Sequence, residues 1–222
     1  VSRRLLVLGL GFVLVLLLAG CGGAGDTEGG ESEATSIDSS TSTSTAPTTT
    51  ETAAPPTTVA AAPTYAFPVD PPSAADYGPG HGGGYPATDI FCAPGTRFMA
   101  VTSGVVFDLS TTDQWNPAVD DPSTRSGIFI SVVGDDGVRY HGSHLTTIAA
   151  GIELGTRVTT GQLLGTTGTT GNAAGRPSHV HFGVSRPTVP GDWEVRRGEV
   201  DTYPLLVAWE QGQALTPTLP AG

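Results

Sequence analysis

From about Tyr65 onward the chain is a succession of short β-branched runs punctuated by glycine and Asp-Gly, a texture that admits strands and leaves little room for helices. The runs over 97–101, 104–109, 127–133, 138–144 and 179–185 read as strands, and Asp136-Gly137, between the third and the fourth, reads as a hairpin turn. The stretch 155–165 alternates turn glycines with short strands. Only 204–212, where Leu205, Leu206 and Trp209 fall at helical spacing and a glycine stands at the stop, reads as a helix. The expected fold is all-β, a small Gly-rich antiparallel β-sandwich closed by a short C-terminal helix.

Before Tyr65 the composition is different. Arg3 and Arg4 precede an apolar run from Leu5 to Leu18 that ends in Leu18-Ala19-Gly20-Cys21. The run falls short of the ~20 residues that span a bilayer and has small residues at its end, which describes an export signal over 1–20. The Leu-Ala-Gly-Cys ending resembles a bacterial lipobox, which implies cleavage before Cys21, acylation of Cys21 and anchorage in a lipid bilayer outside the cytoplasm. Residues 22–64 are Thr, Ser, Ala, Pro, Gly and scattered acids, with almost nothing large and apolar to bury, so a disordered tether is expected over 21–64. As a flexible coil it would span about 35 Å. Residues 65–222 are left as one globular domain.

The formal charge of −11 excludes nucleic acid as a partner class, because a binder needs cations to neutralise phosphates. Six of the 21 acids lie in the tether, and the domain keeps 15 against eight arginines. It is still acidic.

The chemistry concentrates in histidine. His179 and His181 are two residues apart in an apolar β-prone run, so they share one face of a strand while Val180 and Phe182 take the other. The chain has five histidines; His81 is followed by Asp89, and His144 closes a second β-like run. Three N/O donors with a position left open for water are the pattern of a catalytic zinc site, whereas a closed structural site uses cysteines. There is no His-Glu-x-x-His, so no helix-borne glutamate serves as base. By strand alternation Tyr140 and His144 share one face and His141 the other, which leaves His141 outside the site.

Four further marks accompany these residues: Ala-Pro-Gly-Thr after the His and Asp, Ser-His-Leu at 143–145, Gly-x-x-Val-x-x-Gly-Gln-x-x-Gly at 155–165 followed by Thr-Gly, and His-x-His-Phe at 179–182. Over roughly 77–185 the chain therefore resembles the lysostaphin and LytM type of zinc metallopeptidase, whose members cut peptide bonds in bacterial peptidoglycan. The resemblance implies one zinc ion held by His81, Asp89 and His181. It implies that His144 and His179 line the site as catalytic groups, holding the water, stabilising the oxyanion or supplying the proton to the departing amine. Lipoyl and biotinyl carrier domains share the Gly-x-x-Val texture but need a modified Lys, which this chain lacks.

Three features depart from that family's pattern. Seven residues, Gly-Gly-Gly-Tyr-Pro-Ala-Thr, separate His81 from Asp89 where many members have three. Gly142 stands where many relatives have a Tyr, so the transition-state hydrogen bond that the resemblance implies from such a Tyr is missing or comes from Tyr140. Cys92 is the one thiol left once Cys21 is acylated, and alternation points it with Ile90, as a buried inert group. The insertion 111–125 is either a wall of the substrate groove carrying Trp115 or a surface loop, and Arg196-Arg197 is either a carboxylate contact or an exposed pair. Two functions follow: a zinc endopeptidase acting on peptidoglycan peptides, or a non-catalytic wall-binding or hydrolase-activating domain of the same fold. Zinc content separates them.

Overall fold

The computed structural model of the protein describes residues 64–221. The expected export signal, Cys21 and all but the last residue of the tether lie outside the described residues. No helix among the described residues is long and apolar enough to cross a membrane.

The described residues form strands β1 (Val69–Asp70), β2 (Thr88–Phe91), β3 (Arg97–Met99), β4 (Gly104–Ser110), β5 (Ile128–Gly134), β6 (Arg139–Ile148), β7 (Arg157–Val158), β8 (Leu163–Thr167) and β9 (His179–Ser185). Helices α1 (Trp193–Arg196) and α2 (Tyr203–Glu210) follow. All pairings are antiparallel, in the order β1-β3-β8-β6-β5-β4-β7, with β9 joining both β2 and β6. The all-β fold expected from the glycine-punctuated runs is the fold adopted. The Asp136-Gly137 hairpin joins β5 to β6, with Gly137 at φ 77°, a conformation in which glycine carries no Cβ penalty. β1, β2 and α1 are too short to show in the sequence pattern.

One face of the sheet is the core. Val180, Phe182 and Val184 from β9 are fully buried there with Ile90, Ile130 and Leu145, each worth roughly 1.5–3 kcal/mol of burial. Helix α2 closes this face through Leu205, Leu206 and Trp209, and Trp209 stacks on Tyr65 at a centroid distance of 5.3 Å. Gly142 belongs to the same face, where the ring of Phe98 would lie 2.2 Å from any Cβ it carried. A tyrosine there would collide with the core.

The other face of β9 carries the histidines, and the register brings them together. His181 stands opposite Asp89 of β2 on one side and opposite Ser143 of β6 on the other. Strand β6 changes partner midway: Arg139–Ser143 pair with β9, whereas Leu145–Ile148 pair with β8. His144 sits at the changeover with φ 65°, and its N–H donates to the Ser126 carbonyl outside the ladder. A left-handed residue breaks the alternation of a strand, so His144 leaves the core face that its parity assigns to it and turns to the His181 side.

Candidate metal centre

Three donors converge on the histidine face. His81 Nε2 lies 3.4 Å from Asp89 Oδ1, His181 Nδ1 lies 3.1 Å from the same oxygen, and all three donor atoms fall within 4.8 Å of one another. Strand pairing fixes Asp89 against His181, and the glycine-rich loop returns His81 to them. Gly83 is indispensable to that return, because a Cβ there would come within 2.5 Å of the Tyr85 ring and 2.7 Å of the His81 ring. Its N–H also donates to His81 Nδ1 at 2.9 Å. For His81 Nε2 to bind a cation the ring proton must move to Nδ1 and this contact must open, a change that a loop of three glycines permits.

The hydrogen bonds of His181 test whether the donors suit a metal. Its Nε2 lies 2.9 Å from the Arg197 carbonyl oxygen, which can only accept, so Nε2 carries a proton. Neutral His181 then presents a bare lone pair at Nδ1 toward a carboxylate oxygen that is also an acceptor. Two acceptors 3.1 Å apart need a cation between them, either a second ring proton or a metal ion. Burial by itself would raise the Asp89 carboxyl, but hydrogen bonds and charge from His181 and His81 outweigh it and hold the group well below the usual carboxylate range. Two imidazoles and an ionised carboxylate, one imidazole oriented by a backbone carbonyl, fit a zinc ion with a position open.

His144 and His179 flank the donors, with ring centroids 5.0 Å apart and His144 6.2 Å from His181. Each is locked by a carbonyl at Nδ1: Thr170 O for His144 at 2.9 Å and Pro177 O for His179 at 2.8 Å. Both Nδ1 atoms therefore carry the proton, and each Nε2 is left as an acceptor. Burial, aided by the neighbouring His181 and His179, pushes the His144 imidazole down to about 3, so it is neutral at ordinary pH.

The donors and both flanking histidines line a cavity of about 630 Å³. Some sequence expectations need correction here. Tyr140 is on the core face, with its hydroxyl donating to Asp136 Oδ2 at 2.6 Å, and supplies nothing to the site. His141 is on the histidine side, fully buried, with its ring 6.5 Å from that of His181 and its Nδ1 paired with Ser131 Oγ. It lies beneath the site and does not line the cavity. The alternation argument failed because His144 is not in a regular strand. The 111–125 insertion does form part of the wall, through Pro122 and Arg125, whereas Trp115 turns to Asp120. Arg196 is buried on Asp108 and the Phe129 ring, while Arg197 lines the cavity. Cys92 is half-buried with its thiol toward the Ile90 carbonyl, and burial pushes that thiol up. Tyr85 and Trp193 also line the cavity and were not anticipated; an aromatic residue inside a glycine-rich loop next to His81 was the available signal.

A β-sheet that presents two imidazoles and one carboxylate beside two further imidazoles defines a candidate metal centre. The family model for peptidase family M23 matches residues 84–193, beginning just after His81. Lysostaphin from Staphylococcus simulans has a similar fold, with 23% identity and a TM-score of 0.50 over 71% of this chain and 59% of that chain. The catalytic domain of the same protein gives 23% identity and a TM-score of 0.44, covering 65% of this chain and 89% of that chain. A zinc-containing peptidase from Vibrio cholerae gives 19% identity and a TM-score of 0.41, with 55% and 36% covered. No curated protein matches the chain.

Proposed function

We propose that the protein is a zinc-dependent endopeptidase that hydrolyses peptide bonds of peptidoglycan, held at the outer face of the cytoplasmic membrane by acyl chains on Cys21. The observation that carries the reading is the pair His181 Nδ1 and Asp89 Oδ1, two acceptors brought to 3.1 Å with the His181 tautomer set by Arg197. His81 completes the donor set. A zinc ion at these three donors supplies a Lewis acid for the scissile carbonyl and draws the pKa of a water toward neutrality.

The chain's own residues supply the proton path. His144 is neutral and buried, so its Nε2 accepts a hydrogen bond and holds the attacking water or the peptide N–H in place. His179 carries the proton: its Nε2 takes one from the water as the new C–O bond forms, and gives it to the departing amine as the C–N bond breaks. The Pro177 carbonyl stabilises the imidazolium that exists between these two transfers, through the Nδ1–H bond. Membrane anchorage rests on the lipobox resemblance at Leu18–Cys21, and the tether lets the domain search the wall layer next to the membrane.

The test is digestion of purified walls by the zinc-loaded chain, with mass spectrometry of the released fragments. New amine and carboxyl termini within the peptides are expected, and disappear on chelation. Intact walls after exposure to protein holding one zinc per chain contradict the reading.

A further inference from the structure

Arg197 is the group in the cavity whose surroundings the peptidase reading leaves unused. Its guanidinium is stacked over the Tyr85 ring at 4.2 Å and lies 5.2 Å from the Trp193 ring. Its Nε is buried without a hydrogen-bond partner. Five of the eight described arginines are ion-paired: Arg97, Arg125, Arg157, Arg186 and Arg196. Arg139 is buried and bonded to Ser185 and Thr188. That leaves Arg176 and Arg197 without an ion pair among the described residues, and both line the same cavity. The acid on that wall is Asp89, already committed to His181 and His81.

An acidic domain has therefore placed its two uncommitted cations around one cavity, and one of them is held flat by aromatic rings. A stacked guanidinium loses little freedom on forming a bond, and its planar fork of donors matches a carboxylate. Leaving a buried donor unpaired costs about 1–3 kcal/mol, a cost that an incoming acceptor removes. The position is close to the chemistry: Tyr85 packs against His81 at a centroid distance of 4.4 Å, and Arg197 packs against Tyr85. We infer that Arg197, assisted by Arg176, binds a free carboxylate of the substrate peptide next to the bond that is cut, so that the site selects acidic wall peptides over their amidated forms. This rests on the peptidase reading for the identity of the substrate, but not for the binding itself.

The experiment uses soluble wall peptides, released from purified peptidoglycan by a glycan-cleaving enzyme, and the same pool after carbodiimide amidation of its carboxyl groups. Zinc-loaded full chain in detergent is mixed with each pool. Tryptophan fluorescence in the first moments reports binding, and released amine reports hydrolysis. The untreated pool is expected to bind, and to be cut, at least about tenfold better, the worth of one charge-assisted hydrogen bond. Arg197→Gln should bring that ratio close to one, Arg197→Lys should keep part of it because charge remains without the planar fork, and the exposed Arg176→Gln should lower it in part. Zinc content should stay the same in all three. Equal handling of the two pools by wild type overturns the inference, as does an undiminished preference in Arg197→Gln. Binding of the amidated pool as tight as that of the untreated pool, and lost in Arg197→Gln, points instead to wall phosphate and also overturns it. If the untreated pool binds selectively but neither pool is cut, the carboxylate site stands and the peptidase reading fails. Should Arg197→Gln not fold, a ratio unchanged in both Arg176→Gln and Arg197→Lys overturns the inference.

Discussion

His181 donates from Nε2 to the carbonyl oxygen of Arg197 at 2.9 Å, and this contact decides which ring nitrogen faces Asp89. The carbonyl can come so close because residue 183 on the same strand is glycine: a Cβ there would sit 2.4 Å from that oxygen. Gly183→Ala is therefore expected to push the 196–198 segment away from β9 and free the His181 tautomer. Zinc affinity should drop about 10- to 100-fold, the usual effect of losing a ligand's outer partner. Zinc titration with a competing chelator checks this, and an unchanged affinity in a folded variant removes Arg197 O as the orienting group.

His144 reaches the cavity through a left-handed backbone at φ 65°. Such strain costs a non-glycine residue about 1–3 kcal/mol and is worst for β-branched side chains. His144→Val should thus be less stable than His144→Asn by an amount in that range, since Asn tolerates this conformation. Urea unfolding of the two variants decides it. Equal midpoints would mean that the changeover in β6 relaxes without strain.

Acid should unfold the metal-free domain early. Burial holds His141 and His144 far below the ordinary imidazole value of 6.5, so below that pH the unfolded chain binds protons that the folded one refuses. The stability from these two groups is complete above about pH 6.5 and is lost as pH falls, by about 1.4 kcal/mol per pH unit for each. For His144 the loss runs down to about pH 3. His141→Gln should roughly halve the slope of stability against pH between about 6.5 and 4.5, a window above most carboxylate titration. Stability of metal-free wild type that is flat across this window would show that both imidazoles gain protons without cost.

Anchorage has its own test. Cys21→Ala should move the protein from the membrane fraction to the soluble one, with the domain's unfolding midpoint unchanged. Brief proteolysis of either form should stall near Thr64, because from there the backbone is engaged: Thr102 donates to the Thr64 carbonyl and Ala66 N–H donates to Val101 O. Retention of the Cys21→Ala variant in the membrane would show that the apolar run itself is the anchor.

What was legible in the sequence was whatever depends on pairing and spacing. The strand runs, the Asp136-Gly137 hairpin and the helix near Leu205 follow from local pattern, and the family resemblance pointed to His81, Asp89 and His181, which the fold brings within 4.8 Å. Alternation failed at His144, since it holds only where a strand keeps one partner on each edge, and β6 exchanges β9 for β8 there. The same argument put Tyr140 near the site, where the structure has it on the core face, and put His141 on the opposite face from the histidines, where the structure has it on their side but beneath the cavity and not lining it. Trp193, and which of the Arg196-Arg197 pair lines the cavity, were illegible for another reason. Their place depends on a four-residue helix packing across Gly183, and no local pattern reports that contact.

The central claim is a division of labour within one strand: His181 holds the metal and His179 moves the proton. Zinc content and wall hydrolysis measured together on Asp89→Ala, His181→Ala, His144→Ala and His179→Ala test it most directly. The first two should lose both zinc and activity, because two donors cannot hold the ion in an open site. The last two should keep zinc with affinity reduced by no more than about 10- to 100-fold. Their hydrolysis should fall on the order of a hundredfold or more, as expected when a proton carrier or its partner is removed. If His179→Ala loses its zinc as completely as His181→Ala, His179 is a ligand and the division of labour is wrong.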